Sequence, residues 1–258
     1  MLDLEQFIAD CRAALAADKS HQHVRDVVAR AVGNPPSVLR ALGEPKCAGL
    51  HKLYHSHDLT ILNVVWAPMM TIMPHNHSMW AVIGIYTGRE DNIFWRRLPG
   101  SPGKVEAAGA KALCERDAVP LGHDIIHSVT NPIPRLTGAI HVYGGDFFDP
   151  VHRSEWDPET LLEGPFDPER AVRRFEEANA IVANTREPKS STGWSPSGPR
   201  RTCQFLHDHV RWVRARQEII RNVLSISLTT LERFPRGATG RGAASGTGGS
   251  SESTMTRP

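Results

Sequence analysis

Eight short runs of apolar or alternating residues between Gly49 and Gly145 constrain the fold of this chain more than any other feature. Turn residues separate the runs, which read GLHKLYHS, LTILNVVW, MMTIMPH, WAVIGIYTG, NIFWRRL, KALCERDAV, DIIHSVTN and TGAIHVYGG. Short strands at such regular spacing are typical of β-sandwiches and β-barrels. We therefore predict a mainly β domain over residues 49–150, in which the strands end at Gly145.

The segments on either side of these strands carry helical patterns. Residues 1–48 are predicted to form an N-terminal helical segment with breaks near Ser20 and at GNPP, where Pro35 or Pro36 suits a first helical turn. After the strands, the run DPERAVRRFEEANAIVA offers Asp167 as N-cap and Pro168 as first helical residue. Residues 151–185 are therefore predicted to form a closing helical segment.

Residues 186–258 differ in composition, because they are rich in arginine and then in glycine and serine. Such low-complexity sequence has too few apolar residues to fold, so we predict a largely disordered tail apart from a candidate helix near residues 203–234. The tail is basic, with 12 Lys+Arg against 5 Asp+Glu, whereas residues 1–185 are mildly acidic. This distribution does not match a nucleic-acid-binding domain.

The composition also bears on the cellular compartment. No run approaches the roughly 20 apolar residues of a membrane span, and MLDLEQFIADC is acidic and amphipathic, unlike a secretion signal. We expect a cytoplasmic protein without a membrane partner. The cysteines are scattered and form no C-x-x-C motif, so reduced thiols are expected rather than a zinc knuckle or a disulfide framework.

The chain contains four His-x-His pairs, which are His21/His23, His55/His57, His75/His77 and His207/His209. On a strand, residues i and i+2 point to the same face and can share one ion, whereas on a helix they lie about 200° apart. The first pair lies between two helical patterns and the last lies within one, so we expect neither to bind metal. The second and third pairs adjoin β-type sequence.

A metal site at the third pair needs another ligand from a different strand. The run LGHDIIHSVTN supplies His127, which follows a turn at Gly122 and lies fifty residues after His77. Taken alone, His127 could equally be a core histidine with satisfied hydrogen bonds. Its spacing to His75 and His77 favours a three-histidine site.

These motifs resemble the two metal motifs of the cupin superfamily and, within it, those of the cysteine dioxygenase-like branch. PHNH stands ten residues before TG, HSVTN follows, and Trp66 stands nine residues before His75. GAIHVYGGDFF places His141 and Tyr143 fourteen and sixteen residues after His127, as in that family's His-x-Tyr pair. The resemblance implies a cupin double-stranded β-helix, a jelly-roll barrel, with N-terminal helices and a C-terminal helix.

The resemblance also implies roles for individual residues. His75, His77 and His127 match the family's Fe(2+) ligands, Tyr143 matches its pocket tyrosine, and His141 is expected to hydrogen-bond behind that tyrosine. His141 and Tyr143 alternate onto one strand face, which allows the phenol to face the metal. The alternative is an interior polar pair that bonds only to backbone.

The chain departs from the family pattern at several positions. SMWAVIG holds no acid where most cupins carry a glutamate ligand, which indicates a neutral three-histidine set. Val82 stands where mammalian cysteine dioxygenases have the cysteine that crosslinks to the tyrosine, and Ala139 replaces the serine of a Ser-His-Tyr relay. The substrate-carboxylate arginine expected after LY is missing, because the chain reads LYHSHD at Leu53–Asp58.

The missing arginine shapes the expected substrate. No arginine occurs between Arg40 and Arg89, and a buried carboxylate needs a bidentate partner to offset its desolvation. Arg96 and Arg97 fall on opposite faces of one strand, so at most one of them could compensate, as could Arg135. We expect free L-cysteine to be a poor substrate and a thiol without a carboxylate, or a non-thiol ligand, to be preferred.

Four further residues are candidates for the substrate pocket. His55 or His57 could line the pocket mouth and favour a weaker anion or a neutral thiol, although both could also be exposed histidines near a strand end. Trp80 and Ile83 follow the ligand pair and could form the cavity wall, and core packing explains both equally well.

Taken together, the resemblance implies a non-haem Fe(II)-dependent dioxygenase that inserts both atoms of O2 into a small thiol to give a sulfinate. Tyr143 would donate a hydrogen bond to the bound oxygen or substrate. The alternative is a metal-binding cupin of other function, either a sensor or an enzyme that uses Mn, Ni or Zn on a non-thiol substrate. The expected partners are a small-molecule thiol and O2, and the expected assembly is a monomer or a weak homo-oligomer.

Overall fold

The structure is a computed structural model that describes residues 1–18 and 20–186. The predicted tail after Arg186, its candidate helix and the pair His207/His209 lie outside the described residues. The helices are α1 Leu4–Ala17, α2 His21–Val32, α3 Pro35–Leu42 and α4 Pro168–Arg186. The strands are β1 Gly49–His55, β2 Thr60–Trp66, β3 Thr71–Asn76, β4 Ala81–Thr87, β5 Arg89–Arg97, β6 Val105–Cys114, β7 Ala118–Leu121, β8 Ile126–Thr130, β9 Thr137–Tyr143, β10 Ser154–Trp156 and β11 Glu163–Pro165.

The strands form two antiparallel sheets. One has the order β1-β2-β9-β4-β7 and the other has the order β11-β10-β3-β8-β5-β6. Sequence neighbours are often separated within a sheet, as when β9 inserts between β2 and β4, and this is the double-stranded arrangement of a jelly roll. The predicted mainly β class with N-terminal helices and a C-terminal helix is confirmed.

Strand alternation divides the apolar residues between two cores. Along β4, Ala81, Ile83 and Ile85 pack inside the barrel with residues of both sheets. Val82 and Tyr86 point the other way and pack beneath the N-terminal helices. One face of β4 therefore borders the barrel interior and the other supports the helical layer.

The N-terminal helices begin at polar caps and cover the outer face of the first sheet. Asp3 accepts a hydrogen bond from the Gln6 amide at 3.0 Å at the start of α1, and Ser20 precedes α2. α2 lies so close to β4 that a Cβ added at Gly84 would be 2.4 Å from Val28 Cγ1. Glycine at this position therefore allows the helix to pack directly on the strand.

The C-terminal helix α4 begins where the sequence predicts, since Asp167 Oδ1 accepts a hydrogen bond from the Glu169 amide at 2.9 Å. Its Phe175 ring stacks on Trp66 with ring centroids 5.4 Å apart. Asn179 exchanges two hydrogen bonds with the backbone of Ala48, at 2.8 and 2.9 Å. These contacts fix α4 to the barrel.

None of the described helices combines the length and the apolar character that crossing a membrane requires.

The prediction that strands end at Gly145 is wrong, because β10 and β11 follow it. Each of these strands has only three residues, too few to display an alternating pattern in the sequence. β10 is instead positioned by pairing with β3, where Glu155 lies opposite His75.

The single run KALCERDAV also divides into β6 and β7 around a turn in which Arg116 has a φ of 78°.

Candidate metal centre

Three histidines converge inside the barrel. His75 lies in β3, His77 follows directly after that strand, and His127 lies opposite His75 on β8. The Nε2 atom of His77 is 3.1 Å from that of His75 and 3.5 Å from that of His127. The structure thus brings together the three residues that the sequence selected, and they are the group with metal-ligand geometry among residues 1–18 and 20–186.

Hydrogen bonds orient two of these rings toward their common centre. His75 Nδ1 donates to the Met73 carbonyl at 2.9 Å, and His127 Nδ1 donates to Asn92 Oδ1 at 2.7 Å. An oxygen of either kind can only accept, so the ring proton is on Nδ1 in both residues. The Nε2 lone pairs are therefore free to coordinate an ion.

Burial keeps the cluster neutral. It lowers the pKa of His75 from 6.5 to about 4. It also lowers the pKa of His77 and His127 well below the ordinary value, and the positive charge that neighbouring histidines would carry adds to this effect. Three neutral imidazoles with converging Nε2 atoms and no carboxylate in the group fit a divalent first-row transition metal with further coordination positions open.

Tyr143 borders the cluster. Its ring meets His77 edge-to-face with centroids 5.0 Å apart, and its hydroxyl shares a 3.0 Å hydrogen bond with His141 Nδ1. Burial raises the pKa of Tyr143 well above its ordinary value, so the phenol is protonated at physiological pH. The expected His141–Tyr143 contact is present, and the Tyr143 ring lies against one of the three histidines.

A buried carboxylate, Glu90 on β5, lies behind these residues. It accepts hydrogen bonds from Trp66 Nε1 at 2.7 Å and from Asn92 Nδ2 at 3.0 Å. His141 Nε2 is 3.4 Å from Glu90 Oε2, without hydrogen-bond geometry. Glu90 lies beyond SMWAVIG, the segment where most cupins carry a glutamate ligand, so it was not among the predicted site residues. The alternation of Glu90 and Asn92 onto one strand face was a readable signal.

A buried arginine lies on the other side of the cluster. Arg153 is 5% exposed, and its guanidinium lies 4.7 Å from the ring centroid of Phe147 and 4.0 Å from that of Phe166. The Phe147 ring is 6.1 Å from that of His77, and the Phe166 ring is 6.2 Å from that of His75. Arg153 therefore stacks on the same aromatic rings that border the histidines.

Arg153 has carbonyl partners but no acidic one within the described part of the chain. It donates to the carbonyl of Phe147 at 2.8 Å and to that of Asn76 at 3.4 Å. The adjacent acid Glu155 pairs with Arg170 instead, at 2.8 Å. Burial lowers the pKa of Arg153 to about 10, so the group is still charged at neutral pH.

The arginines considered from the sequence do not reach the cluster. Arg96 and Arg97 are both exposed and each pairs with a glutamate, and Arg135 is exposed at the surface. The arginine close to the cluster is instead Arg153, which is not among the candidates from the sequence. It follows an irregular segment after β9, where no periodic pattern assigns a direction to the side chain.

The second His-x-His pair lies away from the metal cluster. His55 Nε2 contacts Asp146 at 2.8 Å and its ring meets Phe148 edge-on, while the His57 side chain is 92% exposed. These positions match the surface alternative. The hydrogen bond from His55 is also the main cause of a lowered pKa at Asp146.

The remaining predicted pocket residues separate between the two cores. Ile83 packs inside the barrel in the cluster that includes Tyr143. Trp80 packs with the outer cluster, and its indole lies so close to Gly144 that an added Cβ would be 2.0 Å away. The structure therefore does not bring Trp80 to the histidines.

The position expected for a crosslinking cysteine also needs correction. Val82 faces the outer cluster, opposite Val142, whereas Ala81 lies opposite Tyr143 on the neighbouring strand. Ala81 is thus the cross-strand neighbour of the phenol. Neither side chain carries a thiol, so neither can form the crosslink.

Matches to known proteins are distant. No protein-family model and no curated protein sequence matches this chain. An RmlC-like cupin with a double-stranded β-helix fold from Methanocaldococcus jannaschii is 12% identical, and the match covers 40% of this chain and 85% of that chain with a TM-score of 0.34. A Cupin 2 conserved barrel domain protein from Salinispora arenicola is 18% identical, covering 37% and 74% with a TM-score of 0.29.

A DMSP lyase from Ruegeria pomeroyi is also 18% identical, and the match covers 44% of this chain and 53% of that chain with a TM-score of 0.33. Similarities this distant carry no argument. The strand topology and the interior histidines define the class, a jelly-roll β protein with a candidate three-histidine metal centre. The narrower resemblance to the cysteine dioxygenase-like branch stays a prediction.

Proposed function

We propose that this protein is a dioxygenase of small thiols that binds Fe(2+) through His75, His77 and His127. The observation that carries the proposal is the Tyr143 phenol, which lies against His77 while its hydroxyl is anchored by His141 at 3.0 Å. A purely structural metal site has no need of a buried phenol beside its ligands. In this proposal the hydroxyl of Tyr143 hydrogen-bonds a molecule bound next to the metal.

The overall reaction combines a thiol with O2 to give a sulfinic acid, so both oxygen atoms are retained and no external reductant is consumed. Divalent iron, when bound, supplies a positive charge that favours thiolate over thiol and the redox chemistry that thiol oxidation by O2 requires. The histidines hold the ion without neutralising it, because all three are uncharged. Tyr143 hydrogen-bonds the bound substrate, and the Phe147 and Phe166 rings exclude water.

Arg153 defines the class of thiol. A buried guanidinium without an acidic partner among the described residues is a site for an anion, and a carboxylate matches its planar fork. We propose that Arg153 binds the carboxylate of the substrate while the thiol binds at the metal. This replaces the expectation of a thiol without a carboxylate.

Free L-cysteine stays a poor substrate in this proposal, for a different reason. Its ammonium group would enter a site that already holds Arg153 and a metal cation. The buried acid nearby, Glu90, is engaged by Trp66, Asn92 and His141 behind the ligands. A mercaptocarboxylate without an amine avoids this uncompensated charge.

Oxygen consumption with a panel of thiols tests the proposal. The full chain, loaded anaerobically with Fe(2+), is mixed with 3-mercaptopropionate, L-cysteine or cysteamine, and the sulfinate is identified by mass spectrometry. We expect the highest kcat/KM for 3-mercaptopropionate and the lowest for cysteamine. Preference for cysteamine would overturn the role of Arg153, and absence of sulfinate from every thiol would overturn the proposed reaction in favour of a sensor or an enzyme using Mn, Ni or Zn.

A further inference from the structure

The Glu90 carboxylate contacts two branches of the site at once, one leading to a metal ligand and one leading to Tyr143. We propose that Glu90 is a positioning residue that fixes the ring orientation of His127 and the hydroxyl of Tyr143 together. The inference rests on the metal centre of the proposed function but not on its thiol chemistry.

The first branch passes through Asn92. Glu90 Oε1 accepts from Asn92 Nδ2 at 3.0 Å, and Asn92 Oδ1 accepts from His127 Nδ1 at 2.7 Å. Because a carboxylate can only accept, the amide nitrogen of Asn92 must face Glu90 and its oxygen must face His127. The carboxylate thus selects the amide orientation that keeps the proton on His127 Nδ1 and the lone pair on Nε2.

The second branch passes through His141. Its Nε2 atom lies 3.4 Å from Glu90 Oε2, and its Nδ1 atom shares the 3.0 Å hydrogen bond with the Tyr143 hydroxyl. A negative charge facing Nε2 favours a proton on that nitrogen. The charge of Glu90 therefore influences which hydrogen bond His141 offers to the phenol.

The location of Glu90 on the chain supports a positioning role. Ala139 lies two residues before His141 on β9. Its methyl side chain has no polar group that could orient His141. Glu90 is completely buried, and none of its partners among the described residues is a lysine or an arginine. A buried acid is costly unless it is hydrogen-bonded or paired with a charge, and its partners here belong to the surroundings of the site.

Asp91, the next residue on β5, provides the matched control. It is also buried and acidic, but its carboxylate forms two bonds with Arg89, at 2.7 and 3.0 Å. Alternation places it on the opposite face of the strand. Asp91→Asn therefore removes a buried charge from the same strand without touching either branch.

Glu90→Gln keeps the shape of the side chain and removes one acceptor. Trp66 and Asn92 donate to different oxygens of the Glu90 carboxylate, so in Gln one of them faces the amino group. The Trp66 indole can only donate, so the Gln oxygen stays with Trp66, and the Asn92 amide rotates toward the amino group and presents a donor to His127. The ring proton then moves to Nε2, where it opposes metal binding.

The first measurement is Co(2+) affinity, from the visible absorption of the bound ion in the full chain without thiol. Loss of a group that orients a metal ligand typically weakens metal binding by about 10- to 100-fold. We expect a loss of this size for Glu90→Gln and for Asn92→Ala, and no change for Asp91→Asn. The double variant E90Q/N92A should bind as weakly as N92A alone, because Glu90 acts on the metal through Asn92.

The second measurement is the ¹³Cζ resonance of Tyr143, which responds to hydrogen bonding of the hydroxyl. The chain has three tyrosines, so Tyr143→Phe assigns the signal in a tyrosine-labelled sample. We expect Glu90→Gln to move this resonance and to leave those of Tyr54 and Tyr86 in place. Asn92→Ala should leave all three signals unchanged, since it acts on the other branch.

The outcomes separate positioning from simple structural support. The proposal is overturned if the Co(2+) affinity of Glu90→Gln stays within about twofold of the wild type. It is also overturned if Glu90→Gln shifts all three tyrosine signals, or if the substitution affects only one of the two branches. If Glu90→Gln does not fold, Glu90→Asp withdraws the charge by one methylene and should weaken Co(2+) binding and shift Tyr143. The proposal would then be refuted if E90D behaves like the wild type in both measurements. It would also be refuted if N92A binds Co(2+) as tightly as the wild type.

Discussion

Arg153 lies above the ring of Phe166, with its guanidinium carbon 4.0 Å from the ring centroid, at the edge of the three-histidine cluster. The same ring is 6.2 Å from that of His75. Arg153 has aromatic and carbonyl contacts but no acidic partner in the described part of the chain. Its charged guanidinium can therefore bind an anion. Substrate recognition in this account depends on that arrangement.

Replacement of Arg153 by Gln should therefore raise KM selectively. Hydrogen bonds to charged groups contribute about 1.5–3 kcal/mol, which corresponds to a rise of roughly 10- to 100-fold for 3-mercaptopropionate. Cysteamine has no carboxylate, so its KM should change little. Arg97→Gln is the control, because Arg97 is exposed and lies over Trp156, 5.4 Å from the ring centroid. An equal rise of KM for both thiols would count against anion binding by Arg153.

Tyr143→Phe should keep the metal and slow turnover. Loss of one positioned hydrogen-bonding hydroxyl at a reacting centre typically costs on the order of 10²-fold in rate. Tyr86→Phe is the matched control, because Tyr86 is a buried phenol on the outer side of the barrel and donates to Asn63 at 2.8 Å. Steady-state kinetics on the metal-loaded variants distinguish them, and unchanged turnover in Tyr143→Phe would remove the residue from the mechanism.

The metal-free protein should lose stability as the pH falls from about 6.5 to about 4. In this window the unfolded chain protonates His75 while the folded chain, with its lowered pKa, does not, so the unfolded state binds more protons. At about 1.4 kcal/mol per pKa unit, His75 alone accounts for on the order of 3 kcal/mol.

Urea unfolding of the chelator-treated protein at several pH values measures this loss. His75→Gln should show a shallower dependence of unfolding free energy on pH, while His57→Gln, at an exposed position, should follow the wild type. Identical pH profiles for His75→Gln and the wild type would mean that burial does not hold His75 neutral.

The strands and the histidine cluster were predictable because both follow from strand alternation. Residues i and i+2 share a face, which places His75 and His77 together, and the second motif supplies His127 from a strand that pairs with the first. The separation of helical from β-type His-x-His pairs follows the same geometry. The first pair was expected between two helical patterns, but α2 begins at His21, so both of its histidines lie in the first turn of that helix.

Arg153 and Glu90 were not predictable in this way, for different reasons. Arg153 belongs to a segment without periodicity, and its direction is set by contacts with Phe147 and Phe166 that are distant from any local pattern. Glu90 lies on a strand with a readable pattern, but a buried acid becomes meaningful only when its partners from β2 and β9 are known. The sequence left Trp80 between a cavity wall and core packing, because aromatic character does not indicate which face of the barrel a residue covers, and the structure places it in the outer cluster.

Metal stoichiometry of the full chain tests the central claim most directly. Elemental analysis after reconstitution with Fe(2+) and removal of excess ion should give one iron per chain for the wild type and for His55→Ala, whose histidine bonds to Asp146 away from the cluster. His127→Ala should retain no stoichiometric iron, because it removes one of three converging Nε2 donors. Full retention of iron by His127→Ala would contradict the account.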